Sequence, residues 1–183
     1  MPQNVPSFAE LLKGAQQSAV HLEMRDVYDV ENEREPFARW GAGFRLNEAD
    51  RSSWWRPWLD LVAETVERGV VMRRARIVSE PVTDYIKYEH SGTFTNVAAG
   101  ELVRWLPRAN ASDIAVPGND FWLIDQRVVR FNVFTGGGDV AAPQYTEDPR
   151  VAKLCSDAFF SPSSPHPAPS DDRPALRWEH RLG

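Results

Sequence analysis

The side chains with chemistry to offer concentrate in one stretch, RIVSEPVTDYIKYEH, which holds Arg76, Ser79, Glu80, Asp84, Tyr85, Tyr88 and Glu89. Ser79 as an N-cap with Pro81 just inside predicts a helix that begins directly after a strand. Strand C-termini and helix N-termini meet at such a corner, and α/β sheets place ligands there. A second stretch, NDFWLID, adds the carboxylate of Asp120 and the ring of Trp122. These nine residues are the candidate ligand- or partner-binding set. Carboxylates of this kind serve as acids, bases or metal ligands only if they converge in a cleft. The plainer reading is that Ser79 and Asp84 cap and charge a helix while the tyrosines pack.

Other conspicuous residues carry less. His21 and Glu23 fall on the polar side of an alternating run, and two ligands are too few for a metal, so a solvated strand face is expected. No metal site and no cofactor are expected. Arg73, Arg74 and Arg76 alternate along a strand and split between its faces, as solvated arginines paired with nearby acids do. Trp54, Trp55 and Trp58 read as core rather than as a stacking platform. Cys155 is the only cysteine, so no internal disulfide or cysteine-rich zinc site can form, and on an apolar helix face it is a small buried hydrophobe. Gly136, Gly137 and Gly138 are not followed by GK[ST] and make a flexible connection rather than a phosphate loop.

The elements that must position these residues follow from periodicity. Ser7 and Glu10 form a capping-box pattern before a helix over 8–17. Val20, Leu22 and Met24 alternate with His21, Glu23 and Arg25, a half-buried strand. A short helix is expected over 31–43, and the clearest one runs from Pro57 to the stop at Gly69, with Trp58, Leu61, Val62, Thr65 and Val66 on one face. Strand 70–78 leads into the helix through Glu89, then a looser segment closed by Gly100, then the strand LVRWLPR. FWLID and VVRFNVF, joined by a tight turn, form a β-hairpin. Asp148 and Pro149 start the last helix, with Val151, Leu154, Cys155 and Phe159 toward the core. The order predicts an α+β or α/β fold, a mixed sheet with a C-terminal hairpin and about four to six helices.

The 183 residues, 42% of them hydrophobic, suit one domain over 1–160. From Ser161 the composition turns to Pro and Ser, and a disordered tail over 161–183 is expected. No window approaches the ~18 apolar residues of a membrane span, and no signal segment opens the chain, which with the single cysteine predicts a cytoplasmic protein. A net charge of -5 argues against direct nucleic-acid binding.

The motifs SFAELL, SAVHLEMRD, WWRPWLDLV, RGVVMRRARIVSEPVTDYIKYEH, NVAAGELVRWLPR and GNDFWLIDQRVVRFNVF resemble a family of uncharacterised actinobacterial proteins, a domain of unknown function common in Streptomyces and its relatives. The resemblance covers about residues 6–160. It implies an association with XRE-type helix-turn-helix regulators, beside which such proteins are often encoded. The order of elements is also similar to the half-domain of phospholipase-D-like proteins in their degenerate sensor versions. The enzymes of that superfamily use a His, a Lys two residues later and a downstream Asp. Here His21 is followed by Leu22 and Glu23, and His90 by Ser91 and Gly92, so the resemblance implies fold without that activity.

Two functional readings follow. The first is a non-enzymatic regulatory or signalling module that binds a helix-turn-helix regulator or a small ligand at the 79–89 corner. The alternative is a phosphoesterase or nuclease-like hydrolase using Glu80, Asp84, Glu89 and Asp120, with Arg76 on the phosphate. The aromatic excess favours the first.

Overall fold

A computed structural model describes residues 5–161; the expected tail over 161–183 lies, beyond Ser161, outside the described residues. Among the described residues, five α-helices surround a six-stranded mixed sheet. In chain order the elements are α1 (Phe8–Gly14), β1 (Ser18–Glu23), α2 (Glu31–Gly41), α3 (Pro57–Glu67), β2 (Val71–Val78), α4 (Asp84–Ala98), β3 (Leu102–Pro107), β4 (Asp120–Ile124), β5 (Val128–Asn132), β6 (Gln144–Thr146) and α5 (Pro149–Phe159). The strands lie in the order β3-β2-β1-β4-β5-β6. β1, β2 and β3 are parallel, and β4 to β6 continue the sheet antiparallel from β1. The mixed α+β architecture and the β4–β5 hairpin are as the sequence predicts, while β6 is an addition.

Alternation assigns the side chains to two layers. On one side Val20, Leu22, Ala75, Ile77, Phe121, Leu123 and Val129 pack under Ala152, Cys155, Ala158 and Phe159 of α5. Leu154 does not join them: it is 41% exposed, turned away from the buried face that Cys155 and Phe159 share. On the other side Ala19, Met72 and Trp122 pack against Leu11 and Leu12 of α1 and Leu59 and Val62 of α3. Pro57 sits in the first turn of α3, as expected. Next to this core, Tyr28, Val78, Tyr85 and Ile86 gather Phe37, Tyr88 and Trp105 under α2 and α4.

Three local predictions are corrected. α4 does not start at Ser79. The Ser79 amide and hydroxyl both donate to the carboxylate of Asp26, at 2.7 and 2.6 Å, so Ser79 is held in the loop. Thr83 is the N-cap instead, its hydroxyl accepting from the Ile86 amide at 3.1 Å. The helix then runs on without a break for 15 residues through the segment expected to be loose. It ends where Gly100 takes φ +96°; a Cβ there would lie 2.9 Å from Val66 Cγ1, so a side chain is excluded by both backbone and packing. The polar side of β1 is not solvated: β1 is a central strand, and His21 is 5% exposed.

Candidate functional site

β1 and β2 are register partners, pairing His21 with Arg74 and Glu23 with Arg76. That register places Glu23, Arg74 and Arg76 on one face, beneath α4. Arg74 Nη1 lies 3.0 Å and Arg76 Nε 2.9 Å from the same Glu23 oxygen. Arg74 also reaches Glu101 at 3.0 Å, and Arg76 reaches Glu89 on α4 at 2.5 Å. Glu101, fully buried just before β3, accepts a second hydrogen bond from Asn96 Nδ2. Burial alone would lower the arginines and raise the glutamate. The carboxylates outweigh it and hold Arg74 and Arg76 above their ordinary values, while the two guanidiniums hold Glu23 down at about 2.

Above this network lies a cavity of about 380 Å³. Its floor is Arg74 and Arg76 with Val103 of β3. One wall is α4, through Tyr88, Glu89, Gly92, Thr95 and Asn96, and the other is α2, through Glu33, Pro36 and Trp40. The chain between α2 and α3 closes the third side with Phe44, Leu46, Trp54 and Arg56. Cations on rings hold that segment to α2: Arg39 sits 4.0 Å over Phe44, and Arg45 4.5 Å over Trp40. Trp54 Nε1 donates to the Asn47 carbonyl at 3.1 Å and fixes the next turn.

Two charged residues of the wall have neutral partners. The Tyr85 hydroxyl donates to Glu33, and Arg56 Nη1 donates to the Thr95 hydroxyl at 3.3 Å. Burial, then the nearby Glu89 carboxylate, raise the Glu33 carboxyl above the ordinary value, and burial lowers Arg56.

The structure distributes the nine residues named from sequence. Arg76, Tyr88 and Glu89 line the cavity, and Tyr85 stands behind it as the donor to Glu33. Ser79 is bound to Asp26 and accepts from Arg108 Nε at 2.9 Å. Glu80 and Asp84 are exposed, Asp84 pairing with Lys87 at 2.9 Å. Asp120 is buried and accepts from the Met24 amide at 2.8 Å and the Tyr28 hydroxyl at 2.5 Å. Trp122 is core, stacked on His21 with ring centroids 4.3 Å apart. Glu80, Asp84, Asp120 and Trp122 are therefore not among the cavity's lining. Sequence reasoning missed Glu23, Glu33, Trp40, Arg56, Arg74, Asn96 and Glu101. The readable signal was that His21 and Glu23 share a strand face, as do Arg74 and Arg76, with opposite charge. Among the described residues no group of three or more His, Cys, Asp and Glu is placed to hold a metal ion.

A family model described as a domain of unknown function, DUF6879, matches residues 6–161. The chain belongs to the DUF6879 family. The match agrees with the resemblance to an uncharacterised domain, and the network and cavity lie wholly within the matched residues. A search of curated proteins finds no match for this DUF6879 chain. Among solved structures it is similar to TrmBL2, an archaeal chromatin protein whose structure shows a novel mode of DNA binding. The likeness has 14% identity and a TM-score of 0.42, and covers 82% of this chain; this chain spans 45% of that one. The expectation of a helix-turn-helix regulator as partner, with direct nucleic-acid binding set aside, does not agree with this match, which is to a DNA-binding chromatin protein, and it is not carried further. A likeness of this degree assigns no function to the present chain. Among the described residues no helix is long and apolar enough to cross a membrane.

Proposed function

We propose that the domain is a small-molecule binding module, with its ligand seated in the cavity between α2 and α4 over Arg74 and Arg76. The observation that carries this is a mixed polar and aromatic cavity on a floor held by ion pairs. Both floor arginines are already ion-paired on two sides, so binding need not order them. Its volume of about 380 Å³ falls in the range of small-ligand pockets. Gly92 adds support. A glycine inside a helix costs roughly 1 kcal/mol against alanine. Nothing lies within 4 Å of a Cβ built there, so packing does not demand it, and the open side is the cavity. The hydrolase reading draws less support, since Glu80, Asp84 and Asp120 stand outside the cavity wall.

The test compares the wild type with Gly92→Trp, which puts an indole into the cavity. Both are melted against a metabolite library of amino acids, sugars, nucleosides and organic acids. A compound that raises the wild-type melting temperature and leaves Gly92→Trp unmoved supports the module. A library in which every stabilising compound acts equally on both proteins would refute it.

A further inference from the structure

Resting on the cavity reading above, we infer that the ligand is a zwitterion, with its ammonium group against Glu33 and its carboxylate against Arg56. The charges of the wall fall into two sets. Glu23, Arg74, Arg76, Glu89 and Glu101 satisfy one another within 3.0 Å. Arg39, toward the outside, has Glu35 at 3.6 Å. Glu33 and Arg56 remain. Among the described residues neither makes an ion pair, and the recorded side-chain partner of each is a neutral hydroxyl, from Tyr85 and Thr95.

An anion and a cation lining one cavity, neither of them in an ion pair, ask for a ligand that brings both. A ligand with a single charge would pair one of them and leave the other without an ionic partner. A zwitterion pairs both and leaves the net charge of the wall unchanged. The surroundings fit the two ends. Glu33 is half-buried and shares the cavity with the rings of Trp40 and Tyr88, whose faces attract an ammonium group, and Arg56 is exposed at its side, where it can fork onto a carboxylate. Both groups are held where burial disfavours their charge, which a counter-charge relieves. Phe44, Leu46 and Trp54 leave an apolar wall for a side chain. A free amino acid or a dipeptide has these features.

Isothermal titration of the full chain with the twenty free amino acids and a set of dipeptides tests the assignment. The tightest binder is then repeated as its C-terminal amide and as its N-acetyl form. Each blocked form should bind about ten- to a hundredfold more weakly than the zwitterion, the effect of losing one charge-assisted contact. Glu33→Gln should erase the preference for the free amine, and Arg56→Gln the preference for the free carboxylate. Binding of the blocked forms as tight as the zwitterion, or no binding by any amino acid or dipeptide at millimolar concentration, overturns the inference. A sugar or nucleoside bound by the wild type and refused by Gly92→Trp overturns it too, while leaving the ligand cavity intact. If no compound of any class distinguishes wild type from Gly92→Trp, both readings fall.

Discussion

Glu23 and Arg76 are register partners on adjacent parallel strands, and Glu23 Oε2 lies 2.9 Å from Arg76 Nε. The same oxygen is 3.0 Å from Arg74 Nη1, so one carboxylate ties two arginines of a single strand. Glu23 lies at the end of β1, where a cross-strand pair holds the register as well as the charge. Glu89 on α4 and Glu101 just before β3 complete the set, so the strands and the helix above them are linked through one buried network.

Removing Glu23 takes one of two carboxylate partners from each of two buried guanidiniums, so two contacts are lost at once. Glu23→Gln should destabilise the fold by about 3–5 kcal/mol, measured by urea denaturation. The double variant Glu23→Gln, Arg76→Met should lose less than the sum of its singles, because the Glu23–Arg76 contact that both remove is lost only once. A double variant as unstable as the sum of its singles would show that the network is not coupled.

Asp120 sits in the opposite situation. Burial raises its carboxyl from 3.8 to about 6, against the hydrogen bonds from Tyr28 and the Met24 amide, which lower it. The folded chain therefore binds this proton more tightly than the unfolded one. Its contribution is greatest below about pH 4 and is lost as the pH rises through 6, a change on the order of 3 kcal/mol. The stability difference between wild type and Asp120→Asn, followed by urea denaturation at successive pH values, should fall over that window and be flat above it. A carboxyl resonance of Asp120 that titrates near 4 would contradict this.

His21 gives the reverse slope. It is buried against Trp122, and no partner is found for Nδ1 among the described residues. Burial, chiefly, holds its imidazole down at about 3, with Glu23 opposing and Arg74, Arg76 and Arg130 adding to the shift. Stability from His21 is complete above its ordinary 6.5 and is lost as the pH falls toward 3, reaching on the order of 5 kcal/mol. NMR of the imidazole should show the neutral form at pH 5. His21→Phe, which keeps a ring over Trp122, should lose less stability than the wild type between pH 6.5 and pH 4.

Much of the fold was readable because periodicity and caps are local. The capping box at Ser7, Pro57 in the first turn of α3 and Asp148 before α5 all stand where the sequence put them. The start of α4 was misplaced because Ser79 and Thr83 are both competent N-caps, and the choice is made by Asp26, distant in sequence, which takes the Ser79 amide and hydroxyl. The site was read only in part for the same reason. Arg76, Tyr88 and Glu89 lie in the stretch that carries the polar side chains, but Glu33, Arg56 and Glu101 come from other elements and meet them only through topology. Glu23 was assigned to solvent because alternation tells which residues share a strand face, while strand order decides whether that face is covered.

Gly92 separates the cost to the fold from the benefit to binding. It lies inside α4, and a Cβ there meets nothing within 4 Å, so alanine removes a helix defect without a clash. Gly92→Ala should stabilise the ligand-free chain by about 0.5–1 kcal/mol, read as a higher melting temperature. The added methyl points into the space the ligand is to occupy, so the same variant should bind the ligand more weakly, and Gly92→Trp should not bind it at all. A gain in stability with unchanged affinity would mean that the helix tolerates glycine here without using it. A gain paired with a weaker titration would place the ligand against the backbone of α4, between Tyr88 and Asn96, where the cavity is open.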